Sequence, residues 1–242
     1  GRILSNDLQQ ATEMVTKIED YYKKDSFGRW RNKITFFSDD VDVSSDFLLE
    51  TKLDLLADQV LEEKPFFNVF KIHSDSYNQQ VTAGGDSYPD AKKDFLDVIQ
   101  LGSLVVNYFG HGGINGLATE RIFLKNDALN LNNQFRYNVF VTITCDFTRF
   151  DNPLRETGGE YVYWNKKGGA VSLITTTRKI FFSTAISINN ELSKYLFNFD
   201  DSGYVSTAEA LRLAKNNITS NNKRVVFNIG DPALKLSIAK PN

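Results

Sequence analysis

Apolar runs with the length of β-strands alternate with amphipathic helical segments along this chain. The runs at 103–109 and 138–144 are almost continuously apolar, as is typical of strands that helices cover on both faces. The segments between such runs place apolar side chains every three or four residues, which is the period of a helix. Strands that alternate with helices form parallel sheets, so the sequence predicts an α/β layered fold with a mostly parallel sheet.

The hydrophobic periodicity and the residues that cap helices predict where each element begins and ends. Ser5-Asn6-Asp7 offers an N-cap to the first helix, and the segment 206–209 has the pattern of a capping box. Strands are expected at 33–38, 67–72, 103–109, 138–144, 169–175, 225–229 and 234–238. Helices are expected at 8–22, 49–60, 91–101, 186–197 and from 207 onward. The polar segment 73–90 is long enough to be a functional loop.

Composition excludes several classes of protein. At 242 residues the chain can bury a core without disulfides, and its one cysteine excludes an internal disulfide. A net charge of −2 argues against a broad basic surface for nucleic acid. No stretch reaches the roughly 18 consecutive apolar residues of a membrane helix. The chain begins without methionine or a signal peptide, and we expect it to be a piece of a longer protein.

Two residues with the chemistry of a nucleophile and a base follow neighbouring strands. His111 stands between Gly110 and Gly112 after the run 103–109, and Cys145 ends the run 138–144. Parallel strand ends meet at one edge of a sheet, where α/β proteins place their sites. A histidine within reach of a cysteine generates the attacking thiolate. We therefore predict an enzyme that uses a cysteine–histidine pair. The alternatives are that Cys145 is a small buried apolar residue and that His111 is an exposed residue of a turn without a catalytic role.

Other groups near these strand ends complete the predicted site. The backbone N–H groups of Gly112 and Cys145 are expected to hold an oxyanion. An acidic residue after the first strand, Asp39 or Asp40, would orient the histidine; we favour Asp40, with a solvated acidic loop as the alternative. Three residues after the fifth predicted strand are expected to border the substrate cleft: Thr176, Thr177 and Arg178. The alternative is that they are ordinary polar residues of a loop.

No cofactor and no metal are expected. Phosphate-binding glycine motifs are absent from the sequence. One acidic run has side chains that could bind calcium: Asp40, Asp42, Ser44 and Asp46. The run departs from the EF-hand pattern, because Ser45 stands where that loop requires glycine. The remaining histidine, His73, has no partner in the sequence and is interpreted as a bystander.

Several ordered segments resemble one family over essentially the whole chain. The segment 102–113, which ends in Gly110-His111-Gly112-Gly113, resembles the catalytic-histidine segment of gingipain-type cysteine peptidases. The segment 144–153, which carries Cys145 and Asp146, is most similar to the PorU-type sortases of the type IX secretion system of Bacteroidota. Three further segments are similar to family segments: 1–3, 168–178 and 230–234.

The resemblance implies a fold and a set of site residues. The fold would be a caspase/gingipain-like three-layer sandwich, with residues 1–242 forming one peptidase domain of a longer multidomain protein. His111 would be the base and Cys145 the nucleophile, with Asp40 orienting the histidine and Gly112 in the oxyanion hole. Substrate-binding residues would be Gly113, Asp146, Thr176, Thr177 and Arg178.

The resemblance also implies a function at the bacterial cell surface, associated with the outer membrane. Sortases of this type cleave the C-terminal sorting signal of secreted cargo and transfer the cargo to an amine of anionic lipopolysaccharide. Partners would be the cargo, secretion subunits such as PorV and the lipopolysaccharide acceptor, with no nucleic acid. The alternatives are a non-catalytic scaffold of the same fold and a plain secreted cysteine protease.

The sequence departs from the family pattern just after the histidine segment. Ile114, Asn115 and Leu117 stand where an acidic residue and a tryptophan are expected nearby. The residues that form the gingipain pocket for basic side chains are not evident either. A preference for cleavage after basic residues is therefore not expected.

Overall fold

A computed structural model describes residues 1–200 and 203–238. The strands are β1 (Lys33–Ser38), β2 (Asn68–His73), β3 (Gln80–Thr82), β4 (Gly85–Ser87), β5 (Val105–Phe109), β6 (Gly112–Gly113), β7 (Gly116–Leu117), β8 (Phe123–Leu124), β9 (Asn138–Thr142), β10 (Ala170–Thr176) and β11 (Val226–Ile229). The helices are α1 (Leu8–Tyr22), α2 (Phe47–Glu63), α3 (Pro89–Leu101), α4 (Lys125–Asn130), α5 (Gly158–Trp164), α6 (Phe182–Leu196) and α7 (Thr207–Asn216).

The central sheet has six strands in the order β11-β10-β9-β5-β1-β2. The pairs from β10 to β2 are parallel, whereas β11 is antiparallel to β10. After β1 the chain adds β2 on one side and later β5 on the other. The order of strands therefore reverses between β1 and β5, and α/β proteins bind ligands at the carboxyl ends of strands at such a point.

Helices cover both faces of the sheet and create two apolar clusters. On one face, α2, α6 and α7 contribute residues such as Leu53, Ile188 and Leu211. On the other, α1, α3 and α5 contribute residues such as Met14 and Phe95. β5 and β9 are buried along their full lengths between these layers. The expected three-layer fold with a mostly parallel sheet is confirmed.

Local end signals act as predicted. The Asp7 side chain accepts a hydrogen bond from the Gln10 N–H at 2.7 Å and starts α1. Ser206 accepts one from the Glu209 N–H at 3.3 Å and starts α7. Such caps satisfy N–H groups that have no partner inside the helix.

The strand predicted at 234–238 is wrong. Leu234 and Leu236 are buried, which explains the apolar alternation. The backbone N–H groups of Lys235 and Ser237 donate to the Tyr22 and Tyr21 hydroxyls, at 2.9 and 3.0 Å, instead of to a strand. Helices α4 and α5 and the two small sheets, β3-β4 and β6-β7-β8, were not predicted, because each of these elements is too short to show a clear period.

Candidate active site

The sheet register brings the ends of β5 and β9 side by side. Tyr108 is the register partner of Thr142, so His111 and Cys145 each follow a paired residue by three positions. The Thr144 hydroxyl donates to the Gly110 carbonyl oxygen at 2.6 Å and joins the two loops. Cys145 is partly exposed. The structure thus places both predicted residues at one edge of the sheet.

The histidine is held at its ring and at its backbone. Its Nε2 lies 3.1 Å from Oδ2 of Asp46, which precedes α2. Its backbone N–H donates to Asp39 Oδ2 at 2.8 Å. The Tyr108 hydroxyl lies 2.6 Å from the His111 carbonyl oxygen and 3.0 Å from Asp39 Oδ2. Within residues 1–200 and 203–238 the ring Nδ1 has no hydrogen-bond partner, so it is the nitrogen available to a thiol.

The surroundings of His111 favour its charged form. Burial lowers the pKa of the imidazole, but the hydrogen bond to Asp46 and the charges of Asp39, Asp46 and Asp42 outweigh burial and raise it. The Asp46 carboxylate is 5% exposed and the imidazole 47% exposed. A histidine that holds its proton stabilises a nearby thiolate.

The expected contact between Asp40 and the histidine is not made. The Asp40 carboxylate accepts a hydrogen bond from the Tyr88 hydroxyl at 3.1 Å, whereas its neighbour Asp39 points to the histidine loop. Successive side chains in extended backbone point to opposite sides. Asp46, which the sequence suggested only as a calcium ligand, is the carboxylate at the ring. Its position at the start of α2, on the same sheet edge, is the signal that could have identified it.

The backbone N–H groups of Gly112 and Cys145, the two predicted oxyanion donors, make no backbone hydrogen bond within residues 1–200 and 203–238. Ala118 N–H donates to the His111 carbonyl oxygen at 3.0 Å, so these residues are a hydrogen-bonded pair. Paired residues of antiparallel strands alternate between bonded and non-bonded. The next pair, Gly112 with Leu117, is therefore non-bonded, and the Gly112 N–H points away from β7. For the Cys145 N–H, no backbone partner exists in the described part of the chain.

Thr176, the last residue of β10, supports the cysteine loop, whereas Thr177 bonds the segment that precedes β11. The Thr176 hydroxyl donates to the Thr144 carbonyl oxygen, and the Thr177 hydroxyl donates to the Val225 carbonyl oxygen at 3.3 Å. Both side chains are buried because β10 continues through Thr176 and pairs with β11 there. Both hydroxyls are thus engaged by the protein itself, and a substrate role for Thr176 and Thr177 stays a prediction.

The remaining predicted substrate residues lie at the surface around the site. Arg178 is half-exposed and forms a two-pronged ion pair with Asp151, with N–O distances of 2.8 and 2.5 Å. Asp146 has a left-handed backbone with φ 52°, which turns the chain just after Cys145. Gly113 lines a cleft of about 690 Å³ that starts at His111 and reaches Arg121 and Lys125. A substrate role for these residues stays a prediction.

Three carboxylates form a buried cluster beside the histidine loop: Asp39, Asp40 and Glu120. The structure brings Asp40 together with these residues and not with the other expected calcium ligands. Burial, together with the charges of Asp40 and Glu120, raises the pKa of Asp39 to about 8, against the hydrogen bonds from His111 and Tyr108. Burial and the charges of Asp40 and Asp42 raise the pKa of Glu120 to about 7. This cluster could hold a metal ion or protons.

We expect the Asp46→Asn variant to have a His111 pKa lower than that of the wild type, because the amide removes the accepting carboxylate. The chain has only two histidines, so the ring C2 protons can be followed individually by NMR titration. Asp40→Asn is the control and should change the His111 pKa less. A larger effect of Asp40→Asn would contradict the assignment of Asp46.

We expect the free energy of unfolding to fall as pH rises from about 5 to 8 when metal ions are chelated. Asp39 and Glu120 keep protons in the folded state that the unfolded chain releases near pH 4. Each such group contributes a slope of up to about 1.4 kcal/mol per pH unit. Urea unfolding across this range measures the slope, and Glu120→Gln should flatten it. An unfolding free energy that rises with pH would refute the expectation.

Residues 1–200 and 203–238 contain no helix with the length and apolar character needed to cross a membrane.

A histidine–carboxylate pair at the switch point of a helix-covered parallel sheet, with a cysteine at the end of the adjacent strand β9, places this chain in the class of cysteine-peptidase-like α/β domains. The sequence model of peptidase family C25 matches residues 1–237, and the chain belongs to this family. The expected gingipain-type family is therefore confirmed. No protein of curated function matches the sequence significantly.

Solved structures show the same fold. The crystal structure of the Arg-specific cysteine proteinase gingipain R (RgpB) superposes with a TM-score of 0.75 at 15% identity, covering 98% of this chain and 55% of that one. The complex of Porphyromonas gingivalis RgpB pro- and mature domains gives 0.76 at 13% identity, covering 98% and 56%. This chain thus spans little more than half the length of these structures.

Proposed function

We propose that this chain is the catalytic part of a cysteine endopeptidase in which Cys145 is the nucleophile and His111 the base. The observation that carries the proposal is the joining of the two strand ends through Thr144 and Gly110, at 2.6 Å, with the histidine ring fixed by Asp46. Family C25 membership supports the same reaction class.

The reaction follows from these groups. His111 takes the proton of the Cys145 thiol, and the sulfur attacks the peptide carbonyl carbon to form a C–S bond. The Gly112 and Cys145 N–H groups hold the oxyanion. The C–N bond then breaks as His111 returns the proton to the leaving amine. Water or another amine next attacks the thioester and releases Cys145.

The test is cleavage of a mixture of peptides of diverse sequence, with new termini identified by mass spectrometry. The wild type should create new termini and, after acid quenching, carry a thioester on Cys145. Cys145→Ala should do neither, and Asp97→Asn, an exposed change on α3, should behave as wild type. Absence of both products in the wild type would overturn the proposal and favour a non-catalytic scaffold.

Within this reaction class, we propose a sortase role at the outer face of the outer membrane. Support comes from the resemblance of the segments around His111 and Cys145 to PorU-type sortases. The substrate would be secreted cargo with a C-terminal sorting domain, held with subunits such as PorV. The acceptor would be an amine of anionic lipopolysaccharide.

Transfer can be separated from hydrolysis by adding an amino sugar to the peptide reaction. A sortase should form products whose new C-terminus carries the amino sugar through an amide bond. Products that end only in a free carboxylate would overturn the transfer step and leave the plain cysteine protease. Cys145→Ala again controls for uncatalysed aminolysis.

A further inference from the structure

Asp39, Asp40 and Glu120 form a buried cluster of carboxylates. These three residues are 2%, 4% and 5% exposed. One oxygen of each lies within 4.8 Å of the others. No lysine, arginine or histidine side chain of residues 1–200 and 203–238 forms an ion pair with any of them. A buried group of like charges is unfavourable unless a proton or a cation neutralises it.

Each residue of the cluster presents one oxygen without a partner. Asp39 Oδ2 accepts from the His111 N–H, and Asp40 Oδ2 accepts from the Tyr88 hydroxyl. In contrast, Asp39 Oδ1, Asp40 Oδ1 and Glu120 Oε2 are buried and have no hydrogen-bond partner in the described part of the chain. Buried polar atoms without a partner are rare in native proteins, and a bound water or ion commonly satisfies them. Three such oxygens, all from carboxylates of one cluster, favour an ion.

The donor set selects the kind of ion. Three carboxylate oxygens, with neither sulfur nor imidazole, suit hard cations such as Ca²⁺ and Mg²⁺. The oxygens lie within 4.8 Å of one another, close enough to share one ion. Three protein carboxylates at a buried position favour Ca²⁺, because Mg²⁺ keeps several waters and is usually held by only one or two carboxylates.

We propose that Asp39, Asp40 and Glu120 bind one divalent cation, and that calcium is the ion that fits. The ion has a route from solvent, because Glu120 and Tyr88 line a surface cavity of about 340 Å³. The ion is also connected to the active site through Asp39. Asp39 binds it through Oδ1 and holds the His111 backbone through Oδ2, so the ion stabilises the histidine loop without contacting the reacting atoms.

The test is calcium binding to the chelator-treated full chain. Isothermal titration should show one Ca²⁺ per chain, and Tm should rise by roughly 5–10 °C at 100 times the dissociation constant. Asp40→Asn and Glu120→Gln should each weaken binding at least tenfold. Glu62→Gln removes a carboxylate from an exposed position of α2 and should bind as wild type. Mg²⁺ should bind at least tenfold more weakly than Ca²⁺.

A spectroscopic readout places the ion at this cluster independently of stability. Tb³⁺ replaces Ca²⁺ and emits when a nearby tyrosine is excited; the Tyr88 and Tyr108 hydroxyls lie 3.1 and 3.0 Å from cluster oxygens. Emission should appear with wild type and decline when Ca²⁺ is added. No binding to the wild type, or undiminished binding to Asp40→Asn and Glu120→Gln, would overturn the proposal. These measurements do not depend on peptidase activity, so they fail or succeed separately from it.

Discussion

Replacement of His111 by alanine is expected to slow the alkylation of Cys145 by iodoacetamide roughly tenfold to 100-fold at pH 6. A solitary thiol is almost entirely protonated at that pH, whereas a thiol beside a charged imidazole reacts as thiolate. The lower intrinsic nucleophilicity of such a thiolate offsets part of the gain in thiolate fraction. Intact mass gives the rate directly, since Cys145 is the only cysteine of the chain.

The pH dependence distinguishes activation from simple access to the thiol. Near pH 9 a solitary thiol is largely ionised, so the wild-type and His111→Ala rates should converge. His73→Ala removes the other histidine, which contacts Asp54 and Ser38 away from Cys145, and should leave the rate unchanged. Equal rates for wild type and His111→Ala at pH 6 would show that no activated pair exists.

The second large effect is expected from Gly110→Ala. An added Cβ at this position would overlap the Asp39 Cβ and lie 2.7 Å from the Tyr108 hydroxyl oxygen. The backbone must move to relieve this overlap, which costs about 2–3 kcal/mol of stability by analogy with overpacked cores. For a chain of this size the loss lowers Tm by roughly 5–10 °C. Thermal unfolding followed by circular dichroism measures it.

Gly113→Ala is the matched control for this prediction. Gly113 is three residues further along the same loop, and an added Cβ there meets nothing within 4 Å. Its Tm should stay within about 1 °C of wild type, as is usual for surface changes. If both variants unfold at the same temperature, the close packing of Gly110 against Asp39 is not a determinant of stability.

The sheet and the location of the site could be predicted because they depend on local patterns. Continuous apolar runs identified β5 and β9, and the glycines around His111 marked the turn that follows. Parallel strand ends then required the histidine and cysteine loops to be neighbours. The order of the strands does not appear in the sequence pattern, because it depends on which distant runs pair.

The carboxylate at the histidine could not be identified by proximity to a strand end. Asp40 is the second residue after β1, and the alternation of extended backbone turns its side chain away from the ring. Asp46 reaches the ring only because the intervening loop folds back, with the Val43 N–H donating to Asp46 Oδ2 at 2.9 Å. Likewise, the sequence pattern placed Thr176 in a loop beside the cleft. That β10 extends through Thr176 and pairs there with β11 depends on tertiary structure, which the local sequence does not reveal.

The burial of β5 and β9 has a consequence for heat inactivation. Both strands are enclosed between the two helical layers, and the histidine and cysteine loops are anchored to their ends. Neither loop can separate from the other by local fraying, since separation requires the centre of the sheet to open. Amide hydrogen exchange at the base of both loops should therefore occur by global unfolding. Reactivity of the cysteine should persist until the whole domain melts and disappear in the same transition.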